Sequence, residues 1–341
     1  MRVPGLDKEF YVIGENVHTT RVLLRKGKLV MDDPNGVESV RFFVEKKRRY
    51  LPISDEAKKT QDYEEGRVKH VKIAVQAAMA GDETGMAYLR RLVDRQIQAG
   101  TDFLDLNVDE ISLKPQEQQQ AMQWLVEMVQ QMTDVPVSVD SSNSETIEIG
   151  LAACKGDRRP LLNSASLERI DALDLAIRYN AQVVITAAGE KGMPEGPEQR
   201  IDHASRMVDA ALKKGLAAAD LFIDPLIFPI SVDGEFGNHC FDAIRALRAR
   251  YGDDIHITGG FSNVSFGIPC RHLVNDVFLN LAVEAGADSG IIDPVTSHLD
   301  RVFTMDRSTV PYQLAEAMLL GQDRFCRTFL RAFRKGELEL N

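Results

Sequence analysis

Short β-branched and apolar runs alternate with longer stretches of helical period along most of this chain, and that alternation predicts its architecture. Phe10-Tyr11-Val12-Ile13 reads as a first strand that ends in Gly14-Glu15-Asn16-Val17-His18. From Asp62 to Ala99 the spacing of charged and apolar residues is helical, in two pieces broken at Gly81-Asp82. Strands are then expected over 101–107, 135–140, 161–163, 182–186, 221–224, 255–258 and 289–293. Helices are expected between them at 115–132, 144–153, 167–179, 198–214, 241–250 and 271–285. With the first, that makes eight apolar strands separated by helices, the pattern of parallel βαβ units. The fold class predicted is α/β, a (β/α)8 TIM barrel rather than an open doubly wound sheet. An open sheet would be expected to carry a glycine-rich dinucleotide turn after its first strand, and Gly14-Glu15-Asn16 offers one glycine only.

Two stretches break the alternation. Residues 21–60 hold a hairpin-like segment, Leu23 to Val30, and a turn cluster, Asp32-Asp33-Pro34-Asn35-Gly36. So short a stretch hardly buries a core alone, so it is expected to be a flap inserted into one domain that spans residues 1–341. The second stretch, residues 300–341, reads as a helical tail running to about Lys335.

Composition narrows the partners. The net charge of −10 argues against nucleic acid or an anionic membrane surface. Lys46-Lys47-Arg48-Arg49 is too short a basic run to change that. No apolar run reaches the length of a membrane helix, and Met1 to Asp7 lacks the apolar core of a leader. Cys154, Cys240, Cys270 and Cys326 are scattered without a C-x-x-C pair, so neither zinc nor disulfides are expected and a reducing cytoplasm is the simplest setting.

Candidate chemistry gathers at the strand ends, which a barrel brings to one face. These are Glu15/Asn16, Asp105/Asn107, Asp140, Asn163, Thr186, Asp224, Asn263 and Asp293, so Asp, Asn or Glu stands at seven of eight. Each alone could be a helix cap or turn residue; Asp140, for one, directly precedes Ser141-Ser142-Asn143. Seven together point to a ligand. Without a Cys/His set they do not make a zinc site, and without a phosphate-cradling lysine they do not suit phosphoryl transfer. A paired-carboxylate glycosidase stays open, although the single Trp124 lies in an expected helix and stacking aromatics are scarce. A ring of carboxylates and amides suits a flat heterocycle best, because carboxylates accept parallel N–H bonds and amides both donate and accept.

Five ordered motifs carry a resemblance: Asp105-Leu106-Asn107-Val108, Val139-Asp140-Ser141-Ser142-Asn143, Leu162-Asn163-Ser164, Phe222-Ile223-Asp224-Pro225-Leu226 and Phe261-Ser262-Asn263-Val264-Ser265. With Gly14-Glu15-Asn16, they resemble the methyltetrahydrofolate:corrinoid-protein methyltransferases of the pterin-binding, dihydropteroate synthase-like superfamily. They are also similar to the folate domain of cobalamin-dependent methionine synthase. The resemblance implies tetrahydrofolate and 5-methyltetrahydrofolate as substrate, and a Co(I) corrinoid (cobalamin) as the methyl-group partner. It implies that Asp140, Asn163 and Asp224 bind the pterin ring and that Asn263 lies beside N5 as the catalytic amide. Asp105, Asn107 and Glu15 would line the same mouth. No Asp-x-His-x-x-Gly motif is present, so the corrinoid is expected on a separate protein docking over the barrel, with the 21–60 flap a candidate docking element. No metal is expected on this chain, and a homodimer is expected in solution. Where the family often reads Gly-Glu-Arg-x-Asn, this chain reads Gly14-Glu15-Asn16-Val17-His18. The alternatives are a dihydropteroate synthase-like pterin enzyme, whose strand-seven Ser-Arg-Lys type motif is missing, or a pterin-binding protein without turnover.

Overall fold

The computed structural model describes residues 9–338. Met1 to Asp7, expected to hold no leader, and the last three residues of the expected tail lie outside the described residues. Eight parallel strands form a barrel sheet: β1 (Tyr11–His18), β2 (Phe103–Asn107), β3 (Val137–Asp140), β4 (Leu161–Ala165), β5 (Gln182–Thr186), β6 (Leu221–Asp224), β7 (His256–Ile257) and β8 (Ser289–Ile292). Their order is β7-β6-β5-β4-β3-β2-β1-β8, and the Ile291 N–H bonding to the Gly259 carbonyl at 2.9 Å brings the two end strands together. The (β/α)8 TIM barrel predicted from the alternation is the fold observed. Among the described residues, no helix is long and apolar enough to cross a membrane.

The chain divides into two compact units, one made of Gly14–Gln98 with Phe103–Leu161 and the other of the remaining described residues. In the first unit every residue of β2 is buried, as a central parallel strand covered on both faces must be. The helix Pro115–Met132 lays Ala121, Met122, Leu125, Val126 and Val129 inward at helical spacing. The helix Ser144–Ala153 approaches β3 closely, because at Gly150 a Cβ would meet Val139 Cγ1 at 2.5 Å.

The insertion belongs to this first unit. It contains a three-stranded antiparallel sheet of Val30–Asp32, Glu38–Val44 and Lys47–Pro52. The hairpin expected over Leu23 to Val30 is displaced. Leu23–Leu24 instead pairs antiparallel with Arg67–Val68, and the hairpin forms around 33–36. The reason is local: Asp33 Oδ1 accepts the Asn35 and Val37 N–H groups at 2.8 and 2.9 Å, and Gly36 takes a φ of 80°. Alternation along Glu38–Val44 buries Val40 and Phe42 and turns Arg41 and Phe43 outward. Phe42 meets Tyr88 of the helix Glu83–Gln98 edge-on, with ring centroids 5.0 Å apart.

In the second unit β5 and β6 pair from Val183–Leu221 to Thr186–Asp224, which sets the polar ends of both strands level. The helix Arg271–Ala285 is buried over most of its length, with Leu273, Val274, Val277 and Phe278 in the core. Among the described residues, the tail holds the α-helices Leu299–Val302, Val310–Leu319 and Arg327–Arg334 and the 3-10 helix Arg324–Cys326.

Other boundaries moved for identifiable reasons. β1 runs on through Gly14-Glu15-Asn16 to His18, where the Asn16 N–H donates to the buried Gln96 Oε1 at 3.1 Å and, just past the strand, the Thr19 N–H donates to the Asn107 carbonyl at 2.9 Å, bonds that outweigh the weak β-propensity of those residues. The helix expected at 167–179 covers only Ala172–Arg178, whereas the one expected at 241–250 starts earlier, at Phe236. That early start brings Gly237 against the helix Val310–Leu319, where a Cβ would run into the Leu319 carbonyl oxygen. Replacing Gly237 with Ala should therefore destabilise the protein by roughly 1–3 kcal/mol through overpacking. Urea unfolding would detect it, and an unchanged midpoint would mean that the two helices separate without cost.

Candidate active site

The first unit gathers His18, Asp105, Asn107 and Asp140, which stand at the ends of β1, β2 and β3. His18 Nε2 lies 2.8 Å from Asp105 Oδ2, and Asp105 is fully buried. Asn107 Nδ2 donates to Asp140 Oδ2 at 2.9 Å, while its Oδ1 accepts the Asp109 N–H at 3.1 Å. Three of the sequence-predicted residues, Asp105, Asn107 and Asp140, are thus brought together. Glu15 lies in the same unit, with Arg21 Nη1 3.3 Å from its Oε1.

Whether Asp140 is a helix cap is decided locally. Asn143 caps the helix Ser144–Ala153, its Oδ1 accepting the N–H groups of Glu145 and Thr146 at 2.8 and 3.1 Å. Asp109, which the sequence reading passed over, accepts from Ser141 Oγ at 2.5 Å and from the Ser142 N–H at 2.8 Å, fixing the loop after β3. The capping work after β3 therefore falls to Asn143 and Asp109. Its signal was the alternation Asp105, Asn107, Asp109, which continues the β2 pattern two residues past the strand.

Electrostatics mark the same cluster. Burial, with the charge of Asp105 next, pushes the Asp140 carboxyl up to about 7, against the opposing pull of His18 and Asn107. Burial alone would lower His18, but the hydrogen bond and charge of Asp105, with Asp140 and Glu15 behind them, hold it above the ordinary histidine range. One ligand atom each from His18, Asp105 and Asp140 lies within 4.8 Å of the others, so the three could hold a divalent cation. His18 Nε2 and Asp105 Oδ2 also bond to each other, so the same residues form a hydrogen-bonded cluster.

The second unit holds Asn163, Asp224 and Asn263. Asn163 is buried in β4. Asp224 closes β6 and its Oδ1 accepts the Leu226 N–H at 2.7 Å, holding a leucine at a φ of 67° that non-glycine residues rarely adopt. Burial pushes the Asp224 carboxyl up to about 6, offset by the backbone N–H groups of Leu226 and Gly260 and by the charge of Arg200. Arg200 is another residue missed from sequence. It is fully buried on the helix Pro197–Lys213, lies over the Phe228 ring at 4.8 Å, and donates to the Gly196 carbonyl at 3.1 Å. Its signal was weak, since one arginine in an amphipathic helix reads as surface.

Asn263 sits in the short 3-10 helix Phe261–Ser265 and is exposed, unlike the buried Val264 and Ser265 beside it. Its Nδ2 would be 3.0 Å from a Cβ on Gly260, so the glycine lets the carboxamide fold back over the chain. Asp293, by contrast, works as a turn cap, its Oδ1 accepting the Val295 N–H at 3.1 Å. His256 is half-buried, its Nδ1 2.9 Å from Asp288 Oδ2.

A (β/α)8 barrel with carboxylates and amides at its strand ends defines the class: a barrel enzyme with polar, partly buried strand termini. Residues 84–293 match the family described as pterin binding enzyme, and the chain belongs to that family. It is 30% identical over 268 residues to the methylcorrinoid:tetrahydrofolate methyltransferase of Eubacterium limosum, an alignment covering 75% of this chain and 91% of that one. It is 28% identical to methionine synthase of Mycobacterium tuberculosis over 62% of this chain but only 18% of that longer protein. Among solved structures, dihydropteroate synthase from Stenotrophomonas maltophilia with active site-bound imidazole superposes with a TM-score of 0.51 at 19% identity, covering 64% of this chain and 86% of that one, a likeness of fold. The family match starts after the insertion and includes β2 to β8.

Because Asp224 holds its proton more tightly when folded than when unfolded, its burial costs stability as pH rises from about 4 through about 6, and the cost stays above that. Asp224→Asn should therefore raise stability at pH 8 by roughly 1–3 kcal/mol, at about 1.36 kcal/mol per pKa unit, and have little effect near pH 4. Thermal unfolding at the two pH values tests this, and equal effects at both would show that the carboxylate is not held against its preference.

Proposed function

We propose that this protein moves a methyl group between N5 of tetrahydrofolate and the cobalt of a corrinoid carried on a separate protein. The observation that carries the reading is that the carboxylates Asp140 and Asp224 each end a barrel strand in a chain of the pterin-binding family. Its support also includes 30% identity to the Eubacterium limosum methylcorrinoid:tetrahydrofolate methyltransferase along 91% of that relative.

In this reading Asp140 and Asp224 accept N–H bonds from the pterin, and Asn163 both donates and accepts through its carboxamide. A carboxylate poised near neutrality suits the task. Its ionised form is the acceptor the ring requires, and donors from the ligand replace the water that burial removed. Asp105, Asn107 and Glu15 complete the lining, Asn107 by aiming Asp140.

The reaction breaks the bond between N5 and its methyl carbon, leaves the electron pair on nitrogen and forms a carbon–cobalt bond. Without a proton, the tertiary amine at N5 would release an amide-like anion of a secondary amine, a poor leaving group, so the site must lower the charge that develops on N5 and a proton must reach it. Asn263 can donate an amide N–H there but cannot give up a proton at neutral pH, so the proton comes through water. The corrinoid, when bound on its own protein, supplies the metal nucleophile. The reverse direction uses the same contacts. We place the reaction in the cytoplasm, where four free cysteines stay reduced. A homodimer is part of the proposal, and sedimentation equilibrium reads it directly.

Calorimetric titration with tetrahydrofolate and 5-methyltetrahydrofolate tests the binding half. Saturable binding is expected, weakened by roughly 2–4 kcal/mol in Asp140→Asn through the loss of charge-assisted bonds. No heat with either folate would sink the reading. For the chemical half, Asn263→Ala should slow methyl transfer by about a hundredfold or more while changing folate affinity much less. Equal losses in the two would reduce Asn263 to a binding residue.

A further inference from the structure

A buried guanidinium needs carbonyls and a counter-charge in place of the water it has lost. Arg200, on the helix Pro197–Lys213, has no exposed surface and lies in the second unit with Asn163, Asp224 and Asn263. Two carbonyls receive it: Nη1 donates to Gly196 at 3.1 Å and Nε to Leu226 at 3.5 Å. Its Cζ lies over the Phe228 ring, 4.8 Å from the centroid, and Phe236 meets that ring edge-on at 5.3 Å. Nη2 is buried and makes no hydrogen bond among the described residues. The acidic groups whose charge reaches Arg200 are Cys240 and Asp224, and burial pushes the Cys240 thiol far above its ordinary range. The counter-charge is therefore the Asp224 carboxylate.

The loop after β6 is folded between these two groups. Asp224 Oδ1 accepts the Leu226 N–H at 2.7 Å, and Arg200 holds the carbonyl of the same residue. Leu226 is thus gripped from both sides in its left-handed conformation, with Phe228 two residues on against the guanidinium. The end of β7 packs close on the same loop, since a Cβ on Gly259 would run into Ile227 Cδ1 and stand 3.3 Å from Asp224 Oδ1. With no surface of its own, Arg200 does not meet a ligand, so its effect on binding passes through Asp224. We propose that Arg200 is a positioning residue for folate: it clamps the Leu226 peptide from the carbonyl side and brings positive charge to Asp224, so that the carboxylate stands ionised and aimed at the pterin N–H groups. The proposal rests on the folate reading above and deepens it.

Glutamine at position 200 keeps N–H donors but has neither the charge nor the forked grip of arginine. The test is a double-mutant cycle: tetrahydrofolate affinity by calorimetry for the wild type, Arg200→Gln, Asp224→Asn and the two combined. Asparagine at position 224 still accepts through its amide oxygen, so weakened binding remains to be measured. Arg200→Gln should lower affinity about tenfold or more beside Asp224, and less than about twofold in the Asp224→Asn background. A generally disturbed barrel loses affinity equally in both backgrounds, and that result overturns the proposal. So does an unchanged affinity in Arg200→Gln. If the glutamine variant does not fold, Arg200→Lys takes its place, because lysine keeps the charge and loses the fork. Its loss, about threefold or more, must likewise vanish in the Asp224→Asn background. No loss, or the same loss in both, overturns the proposal.

Kinetics give a second readout. In the folate reading Asn263 serves N5 and Asp224 does not, so Arg200→Gln should raise KM for 5-methyltetrahydrofolate about tenfold and leave kcat within about threefold, with free cob(I)alamin as acceptor. A fall in kcat as large as the rise in KM overturns the positioning role. A wild type that binds no folate sinks the folate reading, and with it the ligand proposed here. A wild type that binds folate, with parallel losses across the cycle, sinks this proposal alone.

Discussion

The 2.8 Å bond between His18 and Asp105 joins the end of β1 to the end of β2, and the carboxyl it secures is fully buried. Burying an ionised carboxyl is costly unless charge and hydrogen bonds replace the lost water. The second unit meets the same constraint with different residues. Asp224 is buried at the end of β6, with two backbone N–H groups and the charge of Arg200 opposing its neutralisation. In neither unit is the compensation complete, and both Asp140 and Asp224 hold protons well above the usual carboxylate range.

The loops around these carboxylates leave them available. After β3, Asn143 and Asp109, rather than Asp140, satisfy the backbone and hydroxyl groups of the loop. After β6, Asp224 does both jobs: one oxygen pins the left-handed Leu226, which also fixes the carboxylate's direction. After β8, Asp293 is used by its own turn. The same residue type at three strand ends therefore has three fates. What separates them is how many local donors each loop supplies.

The insertion shows the other side of the molecule's economy. Phe42 is buried against Tyr88, while its neighbour Phe43 and the basic turn at 45–49 face outward. Alternation alone produces that division, so the segment is a small sheet anchored by one face. It lies outside the stretch that matches the pterin-binding family.

By itself the sequence determined the class of fold and the sites of its polar strand ends. Short apolar runs spaced by helical segments admit few arrangements other than parallel βαβ units, and Pro115–Met132, Ser144–Ala153 and Arg271–Ala285 follow from periodicity and their first residues. The motif order was legible for the same reason, since the chain order of strand ends is fixed covalently. Boundaries set by neighbours were not. β1 continues through three poor strand formers, with the Asn16 N–H held by the buried Gln96 side chain, and the hairpin of the insertion settles where Asp33 and Gly36 can make their turn. Nor could the sequence pair His18 with Asp105, give Asp109 to the β3 loop or bury Arg200 near Asp224. Those contacts join residues from 24 to 87 positions apart, and only the closing of strands beside one another brings their charges within range.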